Sequence, residues 1–116
     1  MADEKTVSET ALFEVEPGQP LTLVVTIGEA QVGATIVRLN GIVVPFPNQQ
    51  APAPIGVTAP PSILDCVTLV EDVNPATNRT TVTYRLETGA LAKEFTYTLE
   101  ASEKGRVRYE VTFILV

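Results

Sequence analysis

Arg106-Val107-Arg108-Tyr109-Glu110-Val111-Thr112-Phe113-Ile114-Leu115-Val116 closes the chain, and its alternation decides the fold class. Val107, Tyr109, Val111, Phe113 and Leu115 project to one side, while Arg106, Arg108, Glu110 and Thr112 project to the other. A period of two with β-branched and aromatic residues on the apolar side is the signature of a half-buried strand. Upstream the pattern recurs over Lys93 to Glu100, with Phe95, Tyr97 and Leu99 inward, and over Thr81 to Glu87, with Val82, Tyr84 and Leu86 inward. With Thr88-Gly89-Ala90 and Ala101 to Gly105 as turns, the three segments read as a C-terminal meander. In that arrangement the last hairpin closes about Glu103, and Glu100 faces Arg106.

The N-terminal half repeats the theme. Val7 to Val15 places Ala11, Phe13 and Val15 on one face, and Leu21 to Ile27 does the same with Leu21, Leu23, Val25 and Ile27; Pro17-Gly18-Gln19-Pro20 turns between them. Asn40-Gly41 is the strongest local signal, because a two-residue type I′ turn needs positive φ at both positions and Asn-Gly tolerates this best. It pairs Leu39 with Ile42, Val37 with Val44 and Thr35 with Phe46. Ser62-Ile63-Leu64-Asp65 has the form of a helix capping box, yet four β-branched residues between Ile63 and Val70 favour strand. About eight strands joined by short turns imply a two-sheet antiparallel β-sandwich, immunoglobulin-like or jelly-roll, with a small closed barrel as the alternative.

Length and composition fit one domain over residues 1–116, with 1–5 as a disordered tail. A chain of 116 residues buries roughly two thirds of its unfolded surface, enough for a core without disulfides or metals. Lys and Arg number 8 against 14 Asp and Glu, a formal net charge of −6. That balance offers no clustered cations for a phosphate backbone or an anionic membrane surface, so neither nucleic acid nor membrane is an expected partner. The start, Met1-Ala2-Asp3-Glu4-Lys5, has neither the basic nor the apolar region of a secretory signal. One cysteine, Cys66, allows no intrachain disulfide, and a cytoplasmic setting, or a particle assembled there, is expected.

Chemistry is constrained chiefly by what is missing. With no histidine, Ser-His-Asp and Cys-His catalysis and imidazole metal sites are excluded. No glycine-rich phosphate loop exists. Cys66 lies in an apolar segment beside Asp65, a setting that suppresses the thiolate and suits a small core residue. Paired carboxylates leave one enzymatic route, with Asp65 and either Glu71 or Asp72 as a hydrolase pair. All seven aromatics fall on inward faces, however, and none remains to stack a sugar or a base. Glu71-Asp72-Val73-Asn74 could hold a hard cation, but a solvated acidic turn ending at Asn74-Pro75 accounts for it more simply. No enzyme activity, cofactor or metal is expected.

One stretch stands apart. Leu39 to Leu64 runs 26 residues without a charge and contains six prolines. Within it, residues 48–61 lack a strand pattern and form a long Pro-rich loop, either a crossover arch between sheets or a docking loop. Apolar residues also occupy nominally outer positions, namely Val24, Ile36, Val43, Ile114 and Val116. The candidate interface therefore comprises Pro52, Pro54, Ile55, Val57, Pro60, Ile114 and Val116. The expected function is noncatalytic: protein binding or self-assembly, as a homo-oligomer or as a subunit of a larger particle. A carrier of small apolar ligands is the alternative, and it requires a cavity in the core.

Overall fold

Each long alternation read from the sequence is a strand in the computed structural model, which describes residues 4–46 and 52–116. Nine strands are present among them: β1 (Glu4–Phe13), β2 (Pro20–Ile27), β3 (Val32–Leu39), β4 (Ile42–Val44), β5 (Ala53–Val57), β6 (Ser62–Glu71), β7 (Arg79–Thr88), β8 (Leu91–Glu100) and β9 (Arg106–Leu115). They form a five-stranded sheet of order β1-β9-β6-β3-β4 and a four-stranded sheet of order β5-β2-β7-β8. Both sheets keep free edges, so the architecture is a β-sandwich and not a closed barrel.

Inner faces meet as the alternation requires. Leu21, Leu23, Val25, Val82, Tyr84 and Leu86 of one sheet are buried against Val37, Leu64, Val107, Tyr109, Phe113 and Leu115 of the other. Phe113 stands edge-on to Tyr84 at 5.6 Å and tilted against Phe95 at 4.9 Å, so one ring of the five-stranded sheet packs on two rings opposite. All seven aromatics belong to the core or pack against it. Two hydroxyl contacts add direction to this apolar packing. Tyr84 Oη lies 2.7 Å from Thr68 Oγ1, itself 2.9 Å from Thr35 Oγ1, and Tyr109 Oη lies 2.6 Å from Thr80 Oγ1. Each tyrosine thus reaches a threonine of the opposite sheet, satisfying polar groups that would be costly to bury alone.

Local turn chemistry behaves as expected at Asn40-Gly41, where φ is 51° and 83° and Leu39 faces Ile42 and Val37 faces Val44. Thr35 instead faces Thr68 of β6, because β4 ends at Val44 and Phe46 lies beyond it, half-buried. β6 is a strand throughout, set between β3 and β9, with every second residue buried.

Four expectations need correction. The sandwich is not wholly antiparallel: β1 pairs with β9 in parallel, Glu4 beside Arg106 through Phe13 beside Leu115. The C-terminal segments are not a meander, since β7 and β8 form a hairpin but β9 lies in the other sheet. Glu100 therefore faces Arg79, and Arg106 faces Glu71 and Glu4. Residues 48–61 are not strandless, because Ala53–Val57 forms β5 at the edge beside β2. Pro54 is compatible with that place, since an edge strand leaves one row of N–H groups unpaired in any case. Finally, Glu4 and Lys5 of the expected tail begin β1, while residues 1–3 lie outside the described residues.

Candidate functional site

The outer surfaces of the two sheets differ in kind. On the four-stranded sheet, Thr26, Thr81, Thr83, Thr96 and Thr98 face outward; Thr81 meets Thr98 at 3.2 Å and Thr83 meets Thr96 at 3.0 Å through their hydroxyls. Beside them Arg85 binds Glu87 and Glu94 at 2.6 and 3.0 Å. This is a mainly polar surface, with cross-strand hydroxyl and charge pairs between β7 and β8 and half-buried Val24 of β2 beside Arg85.

On the five-stranded sheet the half formed by β1 and β9 is likewise polar, with Arg108 bonded to Glu110 at 2.8 Å and Ser8 to Glu110 at 3.3 Å. That guanidinium holds the Glu110 carboxyl below its usual range, the Ser8 hydroxyl adding to the effect. The half formed by β6, β3 and β4 is mainly apolar, with Arg38, Asp65 and Glu71 as its charged positions. Val32, Ile36 and Val43 are 52%, 52% and 59% exposed, and half-buried Val67 and Leu69 lie beside them on β6. A second apolar row, Leu12–Ile114–Ile63, crosses one end of the sheet, separated from the first by the polar row Arg38–Asp65–Thr112–Thr10.

Both long edges on the other flank carry charges. Lys5 and Glu9 of β1 share the inward face with Val7 and Ala11; Lys5 Nζ donates to the Glu100 carbonyl of β8 at 3.0 Å. Lys93 of β8 stands 5.2 Å over the Phe95 ring. Inward-pointing charges on edge strands oppose pairing with a foreign strand, because such pairing would strip them of water. Exposed Leu12 of β1 and Leu91 of β8 sit at the ends of these two edges, beyond the charged positions.

The residues singled out in the sequence do not form one patch. Ile114 is half-buried between Leu12 and Ile63, and Val116 is exposed beyond β9, its backbone bonded to Phe13 and Val15. Pro52, Pro54 and Val57 are exposed at the β5 edge of the opposite sheet, and Pro60 is half-buried. Ile55 is buried, so it belongs to the core and not to the surface. The crossover nature of the Pro-rich segment is visible in its course from β4 in one sheet to β5 in the other and back to β6, although residues 47–51 fall outside the described residues.

The chemical candidates disperse. Asp65 and Glu71 are six residues apart on one strand, roughly 20 Å, against the roughly 5 to 10 Å that a carboxylate pair of a glycosidase requires. Asp65 accepts the Thr112 hydroxyl at 2.8 Å. Asp72 is buried, and its two oxygens accept Gln31 Nε2 at 3.0 Å and the Lys104 N–H at 3.2 Å. Asn74 Oδ1 accepts the Ala76 N–H, so the side-chain oxygens of Asp72 and Asn74 are spent on internal donors. Among the described residues no group of three His, Cys, Asp or Glu is placed to hold a metal ion. A depression of about 190 Å³ lies at one end, bordered by Glu16, Gln19, Thr88 and Leu91, and no pair of reactive groups converges in it.

Cys66 is sealed in the core, where burial, with the Asp65 charge second, pushes its thiol far above the ordinary 9.0. Burial likewise raises Tyr84 above 10.0, partly opposed by its bond to Thr68. Both groups are held neutral by the fold, so their contribution is complete below the unfolded values and is lost as pH rises from those toward the raised folded ones. Urea midpoints are expected to hold at neutral pH and fall between about pH 9 and 11, with the onset of loss moved upward in Cys66→Ala. A midpoint unchanged across that window would contradict the burial of both groups.

Among the described residues no helix is long and apolar enough to cross a membrane. The chain matches no protein-family model, no curated protein and no solved structure.

Proposed function

We propose that the protein is a noncatalytic β-sandwich module that acts by self-assembly, as a homo-oligomeric unit or as a subunit of a larger particle. One observation carries this reading: the apolar half-face of β6, β3 and β4, set on a molecule whose other sheet face is polar and whose β1/β8 flank is guarded by charge. Monomeric proteins rarely leave contiguous apolar patches beyond a few hundred Å² in water, and burying exposed Val and Ile side chains gains roughly 1.5 to 3 kcal/mol each. A cytoplasmic setting suits a single buried thiol.

Light scattering across the micromolar range tests the reading. A mass that is a multiple of 12.5 kDa is expected. A 12.5 kDa species at every concentration would overturn self-assembly.

A further inference from the structure

The geometry points to a two-fold homodimer in which the outer surfaces of β3 and β6 pack on the same strands of a second copy. This rests on the self-assembly reading and names its surface. Strand register carries the argument. On the outer face Val32 stands beside Glu71, Ala34 beside Leu69, Ile36 beside Val67 and Arg38 beside Asp65. A two-fold axis parallel to the strands, running between β3 and β6, lays β3 of one copy over β6 of the other at equal height. Every side-by-side pair then recurs as a pair across the interface, twice over, as an isologous contact demands.

Size and charge both suit that superposition. Ile36 lies over the partner subunit's Val67 at the centre, and the partner subunit's Leu69 fits over the small Ala34, a large-on-small match that lets two sheet faces interlock at the usual spacing of about 10 Å. Arg38 makes no hydrogen bond or ion pair among the described residues, and Asp65 has the Thr112 hydroxyl but no cation. Across the axis each Arg38 meets the partner subunit's Asp65, so a cation and an anion without an ion pair among the described residues face each other at one end of the apolar centre.

The face as a whole carries three arginines, Arg38, Arg106 and Arg108, against Glu4, Asp65, Glu71 and Glu110, so it is nearly neutral on a chain of net charge −6. Charge repulsion between two copies of this face is therefore weak. Seven residues each of β9, β6 and β3 with the three of β4 present roughly 400 Å² in projection. With side-chain relief that footprint approaches the roughly 600 Å² per partner at the lower end of specific dimers.

A reciprocal charge exchange tests the arrangement. Full-length wild type is expected at twice 12.5 kDa, with Arg38→Glu and Asp65→Arg each weakening dimerisation at least tenfold and leaving the melting temperature of the sandwich nearly unchanged. In either variant alone both cross-axis contacts join like charges. In an equimolar mixture both join opposite charges, so the dimer is expected to return. Ile36→Arg, at the axis, is expected to give a folded monomer independently of that exchange. Wild-type oligomers that persist in all three variants would overturn this interface while leaving self-assembly intact. Weakened variants that fail to rescue each other would overturn the two-fold geometry. A wild type that stays at 12.5 kDa would overturn the self-assembly reading itself.

Discussion

Gln31→Ala is expected to cost roughly 3 to 5 kcal/mol, more than any exposed substitution in the molecule, although glutamine is ordinarily a surface residue. Gln31 lies in the short link between β2 and β3 and is 6% exposed. Its Oε1 accepts the N–H groups of Val73 and Asn74 at 2.7 and 2.9 Å. Its Nε2 lies 3.0 Å from Asp72 Oδ1 and 3.1 Å from the carbonyls of Thr77 and Arg79. One side chain thus closes the backbone of the whole β6–β7 connection. Truncating it leaves two N–H groups, two carbonyls and half of a buried carboxylate without partners. Each orphaned group costs about 1 to 3 kcal/mol, less whatever water recovers.

The melting temperature of Gln31→Ala should fall by roughly 10 to 20 °C, against a shift of a degree or two for Thr26→Ala on the outer face. Asp72→Ala should cost less than Gln31→Ala, because Asp72 answers only one of the five contacts, and the double variant should fall short of the sum. A Gln31→Ala protein that melts with wild type would show that this loop is not held from within.

Neither Gln31 nor the pairing of distant strands was legible in the sequence, and the reasons are physical. Alternation reports which side of a strand is apolar, and it did so along β2, β7 and β9; it reports nothing about which neighbour a strand takes. The Ala101–Gly105 link has the length and glycine of a hairpin loop, yet it crosses between sheets because it is tied elsewhere. The Ala101 N–H donates to Asn78, and Gly105 accepts the Asp72 N–H. Those partners are 23 and 33 residues away in sequence, beyond any local pattern.

β5 was hidden by composition. Ala53, Ile55 and Val57 alternate, but Pro54 and Gly56 between them read as loop, and only an edge position reconciles proline with a ladder. The apolar outer face was the opposite case. Ile36, Val43 and Ile114 stood on the wrong side of a correct alternation, and that breach of the pattern was the visible trace of the candidate surface. Its extension through Val32, Val67 and Leu69 required the β3–β6 register, which no turn signal specifies.

Phe113→Ala is expected to cost roughly 3 to 5 kcal/mol, and the manner of the loss is as informative as its size. Phe113 is fully buried on β9, between Tyr84 of β7 and Phe95 of β8, so its ring is where the five-stranded sheet grips the four-stranded one. Removing it opens a cavity that strands on both sides, held by their ladders, cannot collapse to fill. Tyr84→Ala should cost a similar amount, since it deletes a fully buried ring and takes from Thr68 its bond across the sandwich. Tyr84→Phe isolates the hydroxyl: it keeps the ring, leaves Thr68 bonded to Thr35, and should cost only about 1 kcal/mol.

Since the two rings touch at 5.6 Å, the double variant Tyr84→Ala/Phe113→Ala should be less destabilised than the sum of the singles by about 0.5 to 1.5 kcal/mol. Urea unfolding of the four variants, at constant slope against denaturant, measures every term of this cycle. Strict additivity would mean that the rings do not share a contact, and the packing of the two sheets through Phe113 would then be wrong.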